Sequence, residues 1–368
     1  MLRTQSVSPD AGFNSTANLS SAIAAIQLND SKIDPEDLGD DFDAAMAKVV
    51  AESGDQLVGK ADCEQVNPLQ AIGMGAQGGV WLGDLDENTS CAIKEIKKAW
   101  LTRNKEKRFA QRALTELQAM RECGAHPFIT TCYTAFQTAD SLLYAIELCP
   151  GGDLYALASR SGLPKGFKEA DCRFYYVCLA LALRHIHSRG WMYRDLKLEN
   201  VLIDAQGYAK LCDFGYAKKT QELRTWTDCG TDVYAAPEQI TGAGRGAAAD
   251  WWSLGILLHE LFTGQVPFDG ATCSIIRQSI VDFSDGGAKA GEELRAAVLQ
   301  AGRTVADLNS RFGIVTAERL SETAANFMRA LLDADESKRI GAGPQGFLQV
   351  RPPASHTPAP IGAPSLPG

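Results

Sequence analysis

The sequence predicts an α+β fold in two segregated lobes, a small β-rich one followed by a larger α-helical one. Two patterns predict it. From about Val66, short β-branched and apolar runs alternate with glycine-rich turns, and after Gly152 the apolar positions recur mostly at helical spacing. Strands followed by helices separate into distinct layers, and the natural ligand site in such an arrangement is a cleft between the lobes.

Charge placement narrows the function. The chain has 368 residues and a formal net charge of −9, yet residues 1–66 alone hold 12 Asp/Glu against 4 Lys/Arg. The acidity therefore belongs to a tail. No basic patch or stripe appears, which speaks against a nucleic-acid partner. No stretch approaches the roughly 18 apolar residues of a membrane span. The start Met1-Leu2-Arg3 offers neither an apolar signal core nor a glycine at position two. Ten scattered cysteines without a Cys-x-x-Cys pair lead to the expectation of reduced thiols in a soluble, cytoplasmic protein.

The elements follow in order. Residues 1–65 are acidic and polar, expected to be mostly disordered, with Phe42, Met46, Val49 and Val50 marking one short helix over 42–52. The folded domain spans 66–341, divided into lobes at 66–149 and 150–341. In the first lobe, runs at 80–83, 90–94 and 141–148 read as strands and 103–121 as a helix. In the second, 170–188, 250–263 and 323–332 read as helices, and the Gly/Ala-rich 282–316 as a surface insertion. Residues 342–368 are Pro/Gly-rich and expected to be disordered.

Several motifs carry chemistry. Gly73-Met74-Gly75-Ala76-Gln77-Gly78-Gly79-Val80 follows the pattern G-x-G-x-x-G-x-V, in which missing side chains let backbone N–H groups approach phosphate oxygens; a ligand-free hairpin has the same look. Lys94 closes the run Cys91-Ala92-Ile93-Lys94. A solvated lysine at a strand end is the plain reading, but Glu116 on the following helix offers a partner that would aim the ammonium at phosphate. Farther on come Tyr193-Arg194-Asp195-Leu196-Lys197-Leu198-Glu199-Asn200, then Asp213-Phe214-Gly215, then Ala236-Pro237-Glu238. Each aspartate alone could be a turn former or a helix cap. Their order behind Lys94 resembles the protein kinases over roughly residues 67–340, and implies the bilobal protein kinase fold.

The resemblance implies roles. Asp195 accepts the proton of the substrate hydroxyl and Lys197 steadies the transferring phosphate, while Asn200 and Asp213 hold Mg2+, a cation that prefers hard oxygen ligands. ATP is implied to lie against Gly73, Gly75, Gly78, Lys94 and Asp153. Val80, Ala92 and Leu202 sandwich its adenine, backbone groups of Glu147 and Cys149 bond the adenine edge, and Ile146 guards the back of the pocket. Thr227 is the implied regulatory phosphosite, with Arg112, Arg194 and Lys218 as cationic partners. Arg112 and Glu116 are four residues apart, so they share a helix face. Asp153, Glu199 and Glu260 match positions that read arginines before the phosphoacceptor. Met120, Cys132, Tyr193 and Phe214 are implied to stack as a column, and Arg339 to pair with Glu238.

Within the kinases, Tyr193–Asn200, the segment 224–231 and Asp250-Trp251-Trp252-Ser253 are similar to the cyclic-nucleotide-dependent members of the AGC group, leaning toward the cGMP-dependent branch. Lys197 after Asp195, with Thr231 after Cys229-Gly230, resembles the serine/threonine pattern. The implied partners are basic protein or peptide substrates, an upstream activating kinase or autophosphorylation, and a regulatory subunit in trans, since residues 1–66 are too short for a cyclic-nucleotide-binding domain. Three departures stand out: Gln77 replaces the usual aromatic at the glycine-loop tip, Asp232-Val233 replaces Pro-Glu, and Gln345-Gly346-Phe347 runs into proline-rich sequence without the Phe-x-x-Phe motif. The last of these motivates an alternative, a catalytically weak nucleotide-binding pseudokinase or scaffold. Against it, Lys94, Asp195, Asn200 and Asp213 are all present.

Overall fold

The computed structural model describes residues 67–75, 78–86, 88–102, 108–138, 140–160, 166–219, 232–242, 246–268, 273–274, 277, 280–281 and 322–341. The tail 1–65 with its expected helix over 42–52, the insertion 282–316 and the segment 342–368 lie outside the described residues. Two compact units are present. The first holds the described residues up to Arg121 together with Thr131–Leu148; the second holds Glu122–Thr130 and the described residues from Cys149 onward.

The first unit is built on one sheet. Strands β1 (Asn67–Met74), β2 (Gly79–Asp86), β3 (Thr89–Lys97), β4 (Cys132–Gln137) and β5 (Ser141–Glu147) run in the order β1-β2-β3-β5-β4, antiparallel throughout. On one face Leu85, Cys91, Ile93, Phe136, Leu143 and Ala145 form a core with Trp81 and Tyr133 packed against it. Residues of opposite parity point the other way. There Tyr144 donates its hydroxyl to the carbonyl of Ala113 at 3.1 Å, tying β5 to helix α2 (Arg108–Cys123); a short helix, α1 (Lys98–Thr102), leads from β3 toward it. Helix α2 buries Ala113, Leu114, Glu116, Leu117 and Met120 and exposes Gln118, the one-sided pattern that packing on a sheet requires. With both faces covered, β3 buries Cys91, Ala92, Ile93, Glu95 and Ile96 in near succession.

The turn between β1 and β2 depends on glycine. The Gly75 N–H donates to the Gly78 carbonyl at 2.9 Å. A Cβ on Gly78 would lie 2.1 Å from the carbonyl oxygen of Glu95, so the hairpin closes onto β3 only without a side chain there.

The second unit is centred on a helix. It contains α3 (Leu154–Arg160), α4 (Glu169–Ser188), β6 (Trp191–Met192), β7 (Val201–Ile203), β8 (Ala209–Leu211), β9 (Lys218–Lys219), α5 (Pro237–Ile240), α6 (Ala248–Thr263) and α7 (Glu322–Leu331). Single-turn 3-10 helices occupy Leu198–Asn200 and Asp232–Tyr234. Helix α6 is apolar nearly all round, burying Ala249 to Gly255 except Ser253 and then Ile256 to His259, and α4 and α7 both pack on it. It stops where Gly264 turns left-handed at φ 76° and donates its N–H to the carbonyl of Glu260 at 2.7 Å. Antiparallel pairs β6–β9 and β7–β8 complete the unit.

Residues 122–130 and Cys149, expected in the first lobe, belong to the second unit. The reason is backbone pairing. Thr130 N–H donates to the Leu211 carbonyl and Leu211 N–H to the Phe128 carbonyl, both at 2.9 Å, and Gly152 N–H donates to the Cys149 carbonyl. Strand β4 and helix α1 escaped the sequence reading, and β3 runs three residues past Lys94.

Candidate active site

In the first unit Lys94 sits within β3, opposite Val80 on β2 and Tyr144 on β5. Its Nζ lies 2.5 Å from Glu116 Oε1, and the glutamate is almost wholly buried while the lysine keeps a fifth of its side chain exposed. A buried carboxylate thus holds an accessible cation in place. The expectation of a strand-end lysine is corrected: the strand continues to Lys97, so backbone pairing on both sides fixes Lys94. Arg112 is half-buried one turn before Glu116 on α2. Gly73 pairs with Val80 across β1–β2, and Ala92 is buried opposite Leu82 and Ile146. The Glu147 N–H donates to the Thr131 carbonyl at 2.8 Å, so that N–H is already committed. Ile72, directly before Gly73, is half exposed. Sequence reasoning passed over it, although a large apolar residue abutting a glycine loop was a signal available there. Met120 and Cys132 are buried in this unit.

In the second unit the site begins between β6 and β7. Asp250, in the first turn of α6 and fully buried, accepts the backbone N–H of Tyr193 at 2.9 Å and of Arg194 at 2.8 Å, and contacts His187 Nε2 at 2.8 Å. Burial alone would push its pKa up, but the bond and charge of His187 and the two backbone donors hold it below 3.8. These bonds hold Arg194 at φ 74°, a left-handed conformation that side chains other than glycine seldom adopt. Asp195 follows. Its Oδ2 accepts from Asn200 Nδ2 at 2.8 Å and from Lys197 Nζ at 2.9 Å, and Asn200 Nδ2 also donates to the Asp195 carbonyl at 2.8 Å. Both amide hydrogens of Asn200 are thereby used on Asp195, so its Oδ1 is the side-chain atom that could serve a cation.

Asp213 adopts the other left-handed non-glycine conformation, φ 56°, and is exposed, with Oδ1 accepting the Gly215 N–H at 3.1 Å. Tyr193 secures this turn from below: its hydroxyl donates to the Cys212 carbonyl, and its ring meets that of the fully buried Phe214 edge-on at 5.4 Å. Lys197 registers the convergence electrostatically. Burial would lower its pKa, but Asp195, with Glu199 and Asp213 behind it, raises it overall. A carboxylate and an amide oxygen are hard donors that suit Mg2+, which keeps waters and substrate phosphates in its other positions. Among the described residues no three His, Cys, Asp or Glu side chains are grouped to hold a metal unaided.

The remaining expected residues scatter more widely. Glu199 is exposed on the Leu198–Asn200 turn. Glu260 is half-buried on α6 and accepts the Tyr234 hydroxyl; burial raises its pKa, the tyrosine bond lowers it and Glu199 raises it again, with a net rise. Glu260 therefore feels the charge of Glu199. Asp153 caps α3, Oδ1 accepting the Ala156 N–H at 2.7 Å, and bridges Leu202 on β7. Helix α3 packs against the turn bearing Glu199. Lys218 is exposed on β9 opposite Met192. Arg339, whose side chain is completely buried, makes a two-pronged pair with Glu238 at 2.6 and 3.0 Å, donates to the carbonyls of Ala248 and Asp333, and lies over the Trp252 ring. Thr227, with Gln77, Cys229 and Thr231, lies outside the described residues. Asp250 is the residue that sequence reasoning missed in substance, having noticed it only within a run resembling one kinase branch.

Comparison with known proteins agrees with this geometry. Residues 66–347 match the protein kinase domain family. The chain is 35% identical over 298 residues to the putative ribosomal protein S6 kinase alpha-1 of Caenorhabditis elegans, covering 79% of this chain and 33% of that protein. It is 35% identical over 298 residues to human ribosomal protein S6 kinase alpha-3, covering 79% and 35% of the two chains. The figures for mouse ribosomal protein S6 kinase alpha-4 are 36% over 301 residues, 79% and 35%. The chain thus spans about a third of the length of these relatives. With that family matched over most of its length, the chain belongs to the protein kinase domain family.

Proposed function

We propose that this chain transfers the γ-phosphate of ATP, with Mg2+, to serine or threonine in substrates that carry arginines before the acceptor. The observation that carries the proposal is the joint hold of Asn200 and Lys197 on one oxygen of Asp195, beside an exposed Asp213 fixed in a left-handed turn. Asp195 orients the substrate hydroxyl and receives its proton as the oxygen attacks. Lys197 places positive charge where the transferring group spreads its negative charge. Lys94, steered by Glu116, engages the nucleotide phosphates, and the bare backbone of Gly73, Gly75 and Gly78 admits them closely. Bound through Asn200 and Asp213, Mg2+ supplies counter-charge to the phosphates.

Glu199 and Glu260 give the substrate preference. The charge of Glu199 adds to the rise at Glu260, and a pair of neighbouring carboxylates attracts a guanidinium and repels acidic peptides. Thr227 would be the switch, phosphorylated by an upstream kinase or by the chain itself, with Arg194, Lys218 and Arg112 as the cationic partners of the phosphate. The lean toward cyclic-nucleotide control, through a subunit in trans, rests on the Tyr193–Asn200 and 224–231 motifs alone. The cysteines at 91, 123, 132, 149, 172, 178, 212 and 273, none joined in a disulfide, favour a reducing, cytoplasmic setting.

The test is transfer of radiolabelled phosphate from ATP to an Arg-Arg-x-Ser peptide by the purified chain, with Asp213→Ala alongside. Transfer by the wild type and loss in the variant is expected. Equal labelling from both proteins, or none from either once Thr227 is phosphorylated, would replace this reading with that of a scaffold.

A further inference from the structure

The strand that leads toward Thr227 is held by a cluster that plays no part in the chemistry above. β9 is two residues long, and its ladder to β6 sets Lys219 opposite Trp191 and Lys218 opposite Met192. So short a ladder has little stability of its own. Beside it stands Glu122, the penultimate residue of the Arg108–Cys123 helix, which uses one oxygen twice. Its Oε2 accepts the indole N–H of Trp191 at 2.9 Å and the ammonium of Lys219 at 2.6 Å. That ammonium also lies 5.8 Å from the centroid of the Trp191 ring. Trp191 is 1% exposed, so its N–H has given up water for the carboxylate.

An isolated surface ion pair contributes little to stability. Here a buried donor, a shared acceptor and a cation over a ring all act on the same two strands. Cys123 reports the same arrangement: its thiol is pushed up to about 12, chiefly by burial and then by the negative charge of Glu122, against the positive charges of Arg189 and Lys219. We propose that Glu122 is a positioning residue that latches the Lys218–Lys219 strand onto the Trp191–Met192 strand and so fixes the turns at Arg194-Asp195 and Asp213-Phe214-Gly215. Tyr193 follows Met192 directly, and Gly215 precedes Lys218 by three residues. A ladder that opens frees the near end of both turns. The catalytic consequence rests on the kinase reading above; the latch rests on the contacts alone.

The experiment follows hydrogen exchange of the full chain at the ladder-bonded amides of the Trp191–Met192 and Lys218–Lys219 strands, together with peptide phosphorylation. Glu122→Gln keeps an acceptor for the indole and removes the charge that holds Lys219. Lys219→Met removes the cation from the solvent side, where folding is not at stake. Lys338→Met is the control, its ammonium being an exposed partner of Asp335. Both latch variants should raise exchange at these amides about tenfold. Both should lower kcat about tenfold while KM for ATP stays within about twofold. Unchanged exchange in both variants overturns the latch, and faster exchange with unaltered kcat overturns the positioning role. A wild-type chain that transfers no phosphate overturns the kinase reading, and the exchange comparison still decides the latch.

Discussion

Replacing Asp250 by asparagine should disable the site from beneath without touching any group that meets substrate. The carboxylate accepts from three donors: two backbone amides and an imidazole at 2.8–2.9 Å. Asparagine offers one acceptor oxygen and turns an N–H2 toward the remaining donors. Two of the three donors share Oδ2, so an asparagine oxygen in that place loses one bond and weakens the other two to neutral ones; at about 1.5–3 kcal/mol for a bond to a charged acceptor against about 1 for a neutral one, the cost is about 3–6 kcal/mol in a fully buried setting. At about 2–4 °C per kcal/mol for a domain of this size, Tm should fall by about 10 °C. The same bonds hold Arg194 at φ 74°, a conformation that costs about 1–3 kcal/mol. With the anchor weakened the loop relaxes, and if that strain energy is what positions Asp195, kcat should drop by about tenfold to a hundredfold. Calorimetry and steady-state peptide phosphorylation measure the two effects on one preparation. A Tm within about 2 °C of wild type, or an unaltered kcat, would show that the bonds to Asp250 neither stabilise the unit nor maintain the strained turn.

Gly78→Ala would place a methyl 2.1 Å from the Glu95 carbonyl oxygen, forcing the β1–β2 hairpin off β3; KM for ATP should rise about tenfold to a hundredfold, and an unchanged KM would disconnect the hairpin from nucleotide binding. Glu199→Ala should raise KM for an Arg-Arg-x-Ser peptide about tenfold with little change in kcat, and should leave a peptide without arginine unaffected; equal effects on both peptides would remove Glu199 from arginine recognition. Stability should also fall with acid. His126, pushed down to about 4 by burial and then by His185, Arg184 and Lys210, and His185 and His259, both lowered mainly by burial, are neutral when folded. The unfolded chain takes up these protons at about pH 6.5, so the urea midpoint should begin to decline below that value and continue falling toward pH 4. Asp250, held below 3.8, adds a further loss only under more acid conditions. A midpoint that stays flat from pH 7 to 5 would contradict the histidine assignment.

Much of the site was legible because phosphoryl transfer dictates residue types at short spacing. Asp195, Lys197 and Asn200 fall within one turn of chain, and their mutual bonds are local. Helices α4 and α7 were legible for a different reason, apolar positions that repeat at helical spacing because one face must be buried, and α6 through its long, nearly unbroken apolar run. What escaped notice joins distant residues through backbone groups, which carry no sequence signal. Asp250 bonds amides 56 and 57 residues away, and nothing in Ala-Ala-Asp-Trp-Trp tells which donors it will meet. The placement of residues 122–130 likewise turns on carbonyl and amide pairing with Leu211. Asp153 shows a third case, in which the plain and the functional readings coexist: one oxygen caps α3, and the residue still stands on an element packed against the turn bearing Glu199.

The distribution of strain explains why the least legible residue matters so much. Arg194 and Asp213 are the non-glycine residues with left-handed backbones among the described residues, and each adjoins or forms part of the site. Neither conformation is maintained by its own preference; each is imposed. Tyr193 connects the two. Its N–H is held by Asp250, its hydroxyl holds the Cys212 carbonyl, and its ring abuts Phe214. Asp250 in turn is set by α6, the most thoroughly buried helix of the unit. Burial of that helix therefore does more than stabilise the fold. It fixes a carboxylate, which fixes a tyrosine, which fixes both turns, so that residues free to meet substrate are positioned by one that cannot.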